Sequence, residues 1–354
     1  MSLELFCPDC HGALFVTPNV LRCKNCLKDW PLDGDIPILT DQFAWYPKEH
    51  MDELQFEEFL RDIEHSGWEK ALQKAMAGMR KPKTFWALAF DENRRDLANF
   101  LPINKTMTIL DYGCGVGGIT FNLAKACKHL YAIDQSLLRV KFIQARSKYT
   151  GVANVTAICA GSSRYLPYDD SVFDAVVMNG VLEWMPITQK GRPYQIQFQA
   201  LKEINRVLKK GGFIYLGIEN RFGYRYLWQA KGDNHNQKKR KIPYITAMPR
   251  FLAQIYSYLT VGGAYRCHLY SYSGYRRMFN KAKFGRCDFY FPYPNHNQLH
   301  YVVALGKKKE AALAIEHMVN HSAFPAKEKR ALLFLGKTGL LRYLAQDYTI
   351  IATK

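Results

Sequence analysis

The 354-residue sequence has no uninterrupted apolar run approaching the ~18 residues that a membrane-crossing helix needs. Its start, Met1-Ser-Leu-Glu-Leu-Phe6, shows no basic-then-apolar leader. The expectation from both absences is a cytoplasmic chain with no transmembrane segment. A disulfide framework is also missing: of nine cysteines, Cys114, Cys127, Cys159, Cys267 and Cys287 are scattered singly, which suits a reducing compartment. Acidic residues become scarce along the chain. Residues 1–100 hold 12 Lys/Arg against 17 Asp/Glu, residues 101–220 hold 14 against 8, and residues 221–354 hold 23 against 6. The net charge of +18 therefore belongs to the last third and points to an anionic partner for it. Hydrophobic content of 48% with 14% aromatics is that of a folded chain.

The remaining four cysteines form a set. Cys7-Pro-Asp-Cys10 and Cys23-Lys-Asn-Cys26 give C-x2-C-x12-C-x2-C, the spacing of two knuckles that gather four thiolates around zinc. About forty residues bury too little apolar surface to hold themselves together, so residues 1–40 are expected to be a ribbon that folds on its metal. Four-cysteine sites are closed and therefore structural; a substrate-gripping ribbon is the alternative. The following Trp30-Pro-Leu-Asp-Gly-Asp-Ile-Pro-Ile-Leu39 resembles the ribbon of the small activator protein of tRNA and release-factor methyltransferases.

The stretch Thr108–Thr120, T-I-L-D-Y-G-C-G-V-G-G-I-T, reads as a buried strand turning sharply into a helix. A helix start presents free N–H groups and a positive dipole end, so this is a cofactor loop. Gly113, Gly115 and Gly118 also satisfy the dinucleotide pattern G-x-G-x-x-G. Asp111 discriminates, since a carboxylate there repels a pyrophosphate but pairs with the amino group of S-adenosylmethionine (SAM). Asp134 closes the next apolar run, where an acid holds ribose hydroxyls. These segments, with Tyr131-Ala-Ile-Asp-Gln-Ser136, Leu166-Pro-Tyr-Asp-Asp170 and Leu201-Lys-Glu-Ile-Asn-Arg-Val207, resemble the successive motifs of class I SAM-dependent methyltransferases, notably the quinone-biosynthesis subgroup. The resemblance covers residues 85–306. It implies a doubly wound, Rossmann-like α/β sheet with an antiparallel last strand. Asp111, Gly113, Gly115, Gly117, Asp134, Gln135, Ser162 and Asn179 are the implied cofactor-binding residues, with Ser162 standing where the family usually has an acid for the adenine amino group.

Strand and helix patterns divide the chain further. Residues 41–100, with Phe56, Phe59, Leu60 and Ile63 at near-helical spacing and breaks at Gly67, Gly78 and Pro82, form short helices. They either close over the cofactor or make a solvated linker. The methyltransferase domain is expected over 101–306, with a cap inserted at about 221–272. Its last two strands, near 285–290 and 299–305, should pair antiparallel. Residues 307–354 read as an extension of two short helices and a strand, placement open.

Methyl transfer from a sulfonium is an in-line displacement that mainly needs alignment. Asn179-Gly-Val-Leu-Glu183-Trp184 follows the fourth strand and makes Glu183 the candidate base. Asn220 and Arg221, after the fifth, are assigned to orienting the acceptor. His235, His268 and His296 read as packing or surface residues. Residues 221–300 hold 14 Lys/Arg, two acids and 18 aromatics, so Arg221, Arg225 and Arg266 are expected to bind an anionic acceptor of small-molecule or glycan type. Peripheral membrane contact by 251–265 is a further expectation. An RNA methyltransferase and a non-catalytic SAM-binding interaction protein are the alternatives.

Overall fold

The structure, a computed structural model, describes residues 3–41, 51–79, 81–90, 96–161, 164–227 and 245–354. By internal packing they form two units, Met1–Val177 with Arg206–Gly212, and Met178–Asn205 with Phe213–Lys354.

The first unit opens with an antiparallel ribbon in the order β1 (Leu14–Val16), β2 (Val20–Cys23), β3 (Asp29–Asp33), β4 (Ile36–Pro37). Helices α1 (Glu53–Ser66), α2 (Trp68–Gly78), α3 (Pro82–Ala89) and α4 (Asp96–Phe100) follow. Asp52 and Gln55 cap α1 reciprocally, Gly67 separates α1 from α2, and Pro82 occupies the first turn of α3. Alternation then sets in: β5 (Thr108–Tyr112), α5 (Thr120–Ala124), β6 (His129–Asp134), α6 (Leu137–Thr150), β7 (Val155–Cys159) and β8 (Phe173–Asn179). β5 lies between β8 and β6, β7 flanks β6, and all four run parallel.

Residues 51–90 are no solvated linker. Phe56, Phe59, Trp68 and Phe85 are buried around Phe142 of α6, their ring centroids 5.4–6.1 Å from it. Arg146, one turn along α6, donates to Ala89 O at 2.6 Å and Val116 O at 3.5 Å, with the faces of Phe90 and Phe121 at 4.5 and 4.2 Å. These helices are thereby tied to the glycine loop. The ribbon docks on the free side of β7, where Leu39 N donates to Cys159 O (2.7 Å) over a small core of Ile36, Ile38, Val140 and Cys159.

The second unit contains α7 (Met185–Thr188), most of α8 (Pro193–Val207) and of β9 (Leu208–Glu219), then α9 (Arg250–Val261), α10 (Tyr272–Lys281), β10 (Cys287–Asn295), β11 (Gln298–Ala304), α11 (Lys308–Asn320), α12 (Ala326–Thr338), α13 (Leu341–Leu344) and β12 (Asp347–Thr353). β10 and β11 form the expected hairpin. The end of the chain differs from expectation. β12 lies between β9 and β10, antiparallel to both, pairing Asp347 with Glu219 and Cys287 with Ala352. A boundary at residue 306 would cut β12 from the strands it bonds, and β12 runs opposite to both of them, in the same direction as β11. Sequence periodicity identifies a strand here but not its neighbours. The whole has the Rossmann-like α/β fold with an antiparallel final strand.

Because Phe142 is fully buried at the hub of the aromatic cluster, Phe142→Ala should cost about 3–5 kcal/mol. Urea unfolding should show a lowered midpoint; a midpoint at the wild-type value would mean the helices 51–90 do not depend on it.

Candidate functional site: a glycine loop, a buried charge cluster and a four-cysteine centre

Ile109, Leu110, Asp111 and Tyr112 are all buried, so β5 delivers its carboxyl end rigidly. There Gly113 N and Cys114 N donate to Ile133 O at 2.8 and 3.0 Å, folding the loop over the end of β6. Gly113, Gly115 and Gly117 take φ of 81°, 54° and 79°, the left-handed region. A Cβ on Gly117 would strike Ile143 and Phe121, whereas at Gly115 it would enter open space. Asp111 accepts from Thr120 Oγ1 at 2.7 Å. Asp134 accepts from Ser136 N (2.9 Å), Gly115 N (3.0 Å) and Arg139 Nη1 (3.5 Å). Burial pushes its carboxyl up to about 6, against the pull of the backbone N–H bonds. Gln135 is buried beside it. Open space at Gly115 next to this anion fits SAM. Ser162 lies outside the described residues, as do His235 and Lys238–Lys241.

In the second unit, Asn179 ends β8. Its Nδ2 donates to Asn297 Oδ1 at 3.0 Å, and its amide oxygen fills the space a side chain on Gly217 would need. The turn after it, Gly180 with φ 66°, brings Glu183 back under the strand end, 2% exposed. A Cβ on Gly180 would lie 3.2 Å from His296 Nε2 and 3.9 Å from Glu183 Oε1. Gln197 of α8 pins this turn, donating to Leu182 O at 3.0 Å and His268 O at 2.8 Å.

His296 is a packing residue, and a charged one. It sits at the tip of the β10–β11 hairpin, buried, with Nδ1 2.9 Å from Asp347 Oδ2, while its backbone N donates to the same oxygen at 2.9 Å. Burial opposes charge on the ring, but Asp347, then Glu183 and Glu219, overcome it and raise His296 to about 9. His296 is thus an imidazolium at neutral pH among three carboxylates. His268 matches its packing assignment, since burial and Arg250 lower it to about 3 and keep it neutral. The sequence hint missed was an acid opening a buried terminal strand, as Asp134 closes one.

The other expected site residues have different work. Asn220 is fully buried and donates from Nδ2 to Tyr343 O and Ala345 O, both at 2.8 Å, bracing β9 to the segment before β12. Arg221 donates to Thr246 O at 3.0 Å and Met248 O at 2.6 Å. Arg225 pairs with Glu328 at 2.6 Å, and Arg266 donates to Pro186 O, Gln189 O and Gly191 O at 2.5–3.0 Å. These arginines and Asn220 hold loops in place, since the donors named meet backbone carbonyls or a carboxylate.

The Sγ atoms of Cys7, Cys10, Cys23 and Cys26 all lie within 4.8 Å of one another. Cys7–Cys26 at 3.7 Å and Cys10–Cys23 at 3.4 Å are far longer than a disulfide's ~2.05 Å, and near the ~3.8 Å edge of a tetrahedron with Zn–S of ~2.3 Å. The two knuckles repeat each other. Cys7 N donates to Gly12 O and Cys23 N to Lys28 O, and His11 and Leu27, each just after a second cysteine, take φ of 59° and 60°. Gly12 is required, since its Cβ would lie 2.7 Å from Asn25 and 3.0 Å from Cys23 Sγ. The donor set fits structural zinc.

Two outcomes are expected. Purified protein should carry about one zinc per chain, and Cys7→Ser should lose it and expose residues 3–41 to proteolysis; full protection without metal would refute a zinc-dependent ribbon. A histidine raised from 6.5 to about 9 gives stability that is complete below pH 6.5 and disappears as pH climbs through 9. The loss should be roughly 3 kcal/mol. Urea unfolding across that range should show it, and His296→Gln should flatten the profile.

Comparison with known proteins agrees with this layout. Residues 110–216 match the family described as "Methyltransferase domain". The chain is 27% identical over 159 residues to sterol 4-C-methyltransferase strm-1 of Caenorhabditis elegans (45% of this chain, 44% of the relative). It is 28% identical over 182 residues to sterol 24-C-methyltransferase ERG6A of Gibberella zeae (51% and 43%), and 28% over 121 residues to demethylmenaquinone methyltransferase of Staphylococcus aureus (34% and 46%). The chain thus spans less than half the length of these relatives. The matched segment, residues 110–216, runs from within β5 into β9.

Proposed function

We propose that the protein is a SAM-dependent methyltransferase acting on a small-molecule acceptor, with the Asp111–Gly117 loop and Asp134 holding SAM and Glu183 receiving the acceptor's proton. The observation that carries this is the buried Asp134, bonded to Gly115 N at the head of a loop whose glycines leave open space beside it. Bound there, SAM supplies a methyl group on a sulfonium, ready for displacement by a nucleophile.

The chain's own residues supply orientation and a proton acceptor. Asp111, held by Thr120, presents an anion to the amino end of the cofactor. Glu183 is the base, and His296 is not, because a group that titrates near 9 already carries its proton at neutral pH. The imidazolium lies in the field of Glu183, which holds its positive charge in place. Asp347 fixes the ring through Nδ1, as a carboxylate orients a histidine in other sites.

An anionic or glycan acceptor loses the arginines on which that expectation rested. The printed names of the relatives, sterol and demethylmenaquinone methyltransferases, support an apolar acceptor instead.

Asp134→Ala should weaken SAM binding about ten- to hundredfold by calorimetry, as charge-assisted hydrogen bonds are worth ~1.5–3 kcal/mol. In the wild type, affinity should fall as pH drops through about 6, when Asp134 gains its proton. Glu183→Gln should leave SAM affinity intact and lower turnover on the order of a hundredfold. Label from methyl-labelled SAM should enter the lipid fraction of a host extract. Unchanged affinity in Asp134→Ala would remove the cofactor assignment, and label confined to RNA would replace the acceptor.

A further inference from the structure

Helix α9 is apolar where a surface helix should be polar. Its inner side packs Ala253 (1% exposed) and Ser257 (0%) with Ile245 and Tyr265. Ser257 Oγ donates to Gly263 O at 2.7 Å, and Gln254 Oε1 accepts from Tyr265 N, so the helix is anchored in one rotation. The outer side carries Phe251 (66% exposed), Leu252, Ile255, Tyr258 and Leu259 (82%). Positions i, i+1, i+4, i+7 and i+8 fall within one stripe about 120° wide. Five large apolar side chains on one face are more than the scattered exposure a surface normally shows.

Charge selects what covers this stripe. Residues 245–287 contain seven Lys/Arg and no Asp or Glu. Arg250, at the start of α9, and the exposed Arg276, Arg277, Lys281 and Lys283 are among them, while Arg286 pairs with Asp288 at 2.6 Å. A second copy of the chain would bring like charges together, both copies at +18. A surface that is apolar within and anionic at its rim satisfies both features, and a lipid bilayer with acidic headgroups has that layering. Among the described residues no helix is long and apolar enough to cross a membrane, so the contact is peripheral.

We infer that α9 is a membrane-docking helix that lies in the headgroup layer of an anionic bilayer, inserting Phe251, Leu252, Ile255, Tyr258 and Leu259. Basic residues of 245–287 supply long-range attraction, and the apolar stripe supplies the short-range hold. This reading is separate from methyl transfer, and its failure leaves the Asp134 and Glu183 tests untouched.

The test is co-sedimentation of the full chain with vesicles of phosphatidylcholine alone or with about 30% phosphatidylglycerol. The wild type should bind the anionic vesicles at least tenfold better than the neutral ones, and lose most binding at about 0.5 M salt. The double variant Ile255→Asn with Leu259→Asn changes only exposed side chains. It should bind anionic vesicles about tenfold or more weakly, with melting temperature and SAM affinity unchanged. Equal binding by variant and wild type, or no binding to anionic vesicles, would overturn the inference. So would a dimer seen by sedimentation velocity that the double variant abolishes, which would give the stripe to a second copy.

Discussion

A carboxylate buried at the start of a strand must find partners or it will not stay buried, and Asp347 meets that demand with His296, taking both the ring and the backbone N–H. Much of the second unit is arranged around this pair. The pair fixes the tip of the β10–β11 hairpin against the first residue of β12, and Asn220 braces the end of β9 to the carbonyls just before Asp347. Gly180, at φ 66°, passes so close to His296 that a Cβ there would press on the ring at 3.2 Å. Glu183 and Glu219 add their field to the same ring. The cluster is therefore one electrostatic object assembled from four separate segments of chain, and loss of His296 would leave Asp347 buried without its counterpart.

Parts of this molecule were legible in the sequence where the determining residues are neighbours in the chain. The glycine loop, Asp111 and Asp134 lie within one strand–loop–helix–strand unit, and the thiol spacing encodes both knuckles. Gly67 and Pro82 end and begin helices by their own backbone restrictions. The His296–Asp347 pair was not legible, since 51 residues separate its members and each alone reads as an ordinary polar residue. Arg221, Arg225 and Arg266 were misread for a related reason. A guanidinium among aromatics has the same local sequence whether it meets a ligand or a backbone carbonyl, and only the fold decides. The place of β12 escaped because strand order depends on what approaches from elsewhere.

The two buried clusters, one in each unit, differ in how they handle burial. Around Asp134 the protein uses backbone N–H groups as the only close company apart from a distant guanidinium, which leaves the carboxylate costly and receptive. Around His296 it uses full charges of opposite sign, which makes the cluster rigid and keeps the ring protonated. The first arrangement leaves burial to act on a lone carboxylate, and the second sets opposite charges against each other.

The docking of the ribbon on β7 has a consequence for how the molecule can fail. Leu39 donates to Cys159 and Ile38 bridges the same residue, so the ribbon covers the one flank of the parallel strands that β6 does not pair. A strand left bare presents a row of unmet N–H and C=O groups that another chain can match. Loss of that cover would then act as a solubility defect: chains with an intact glycine loop would be drawn into sheet-to-sheet assemblies, and the damage would grow with concentration.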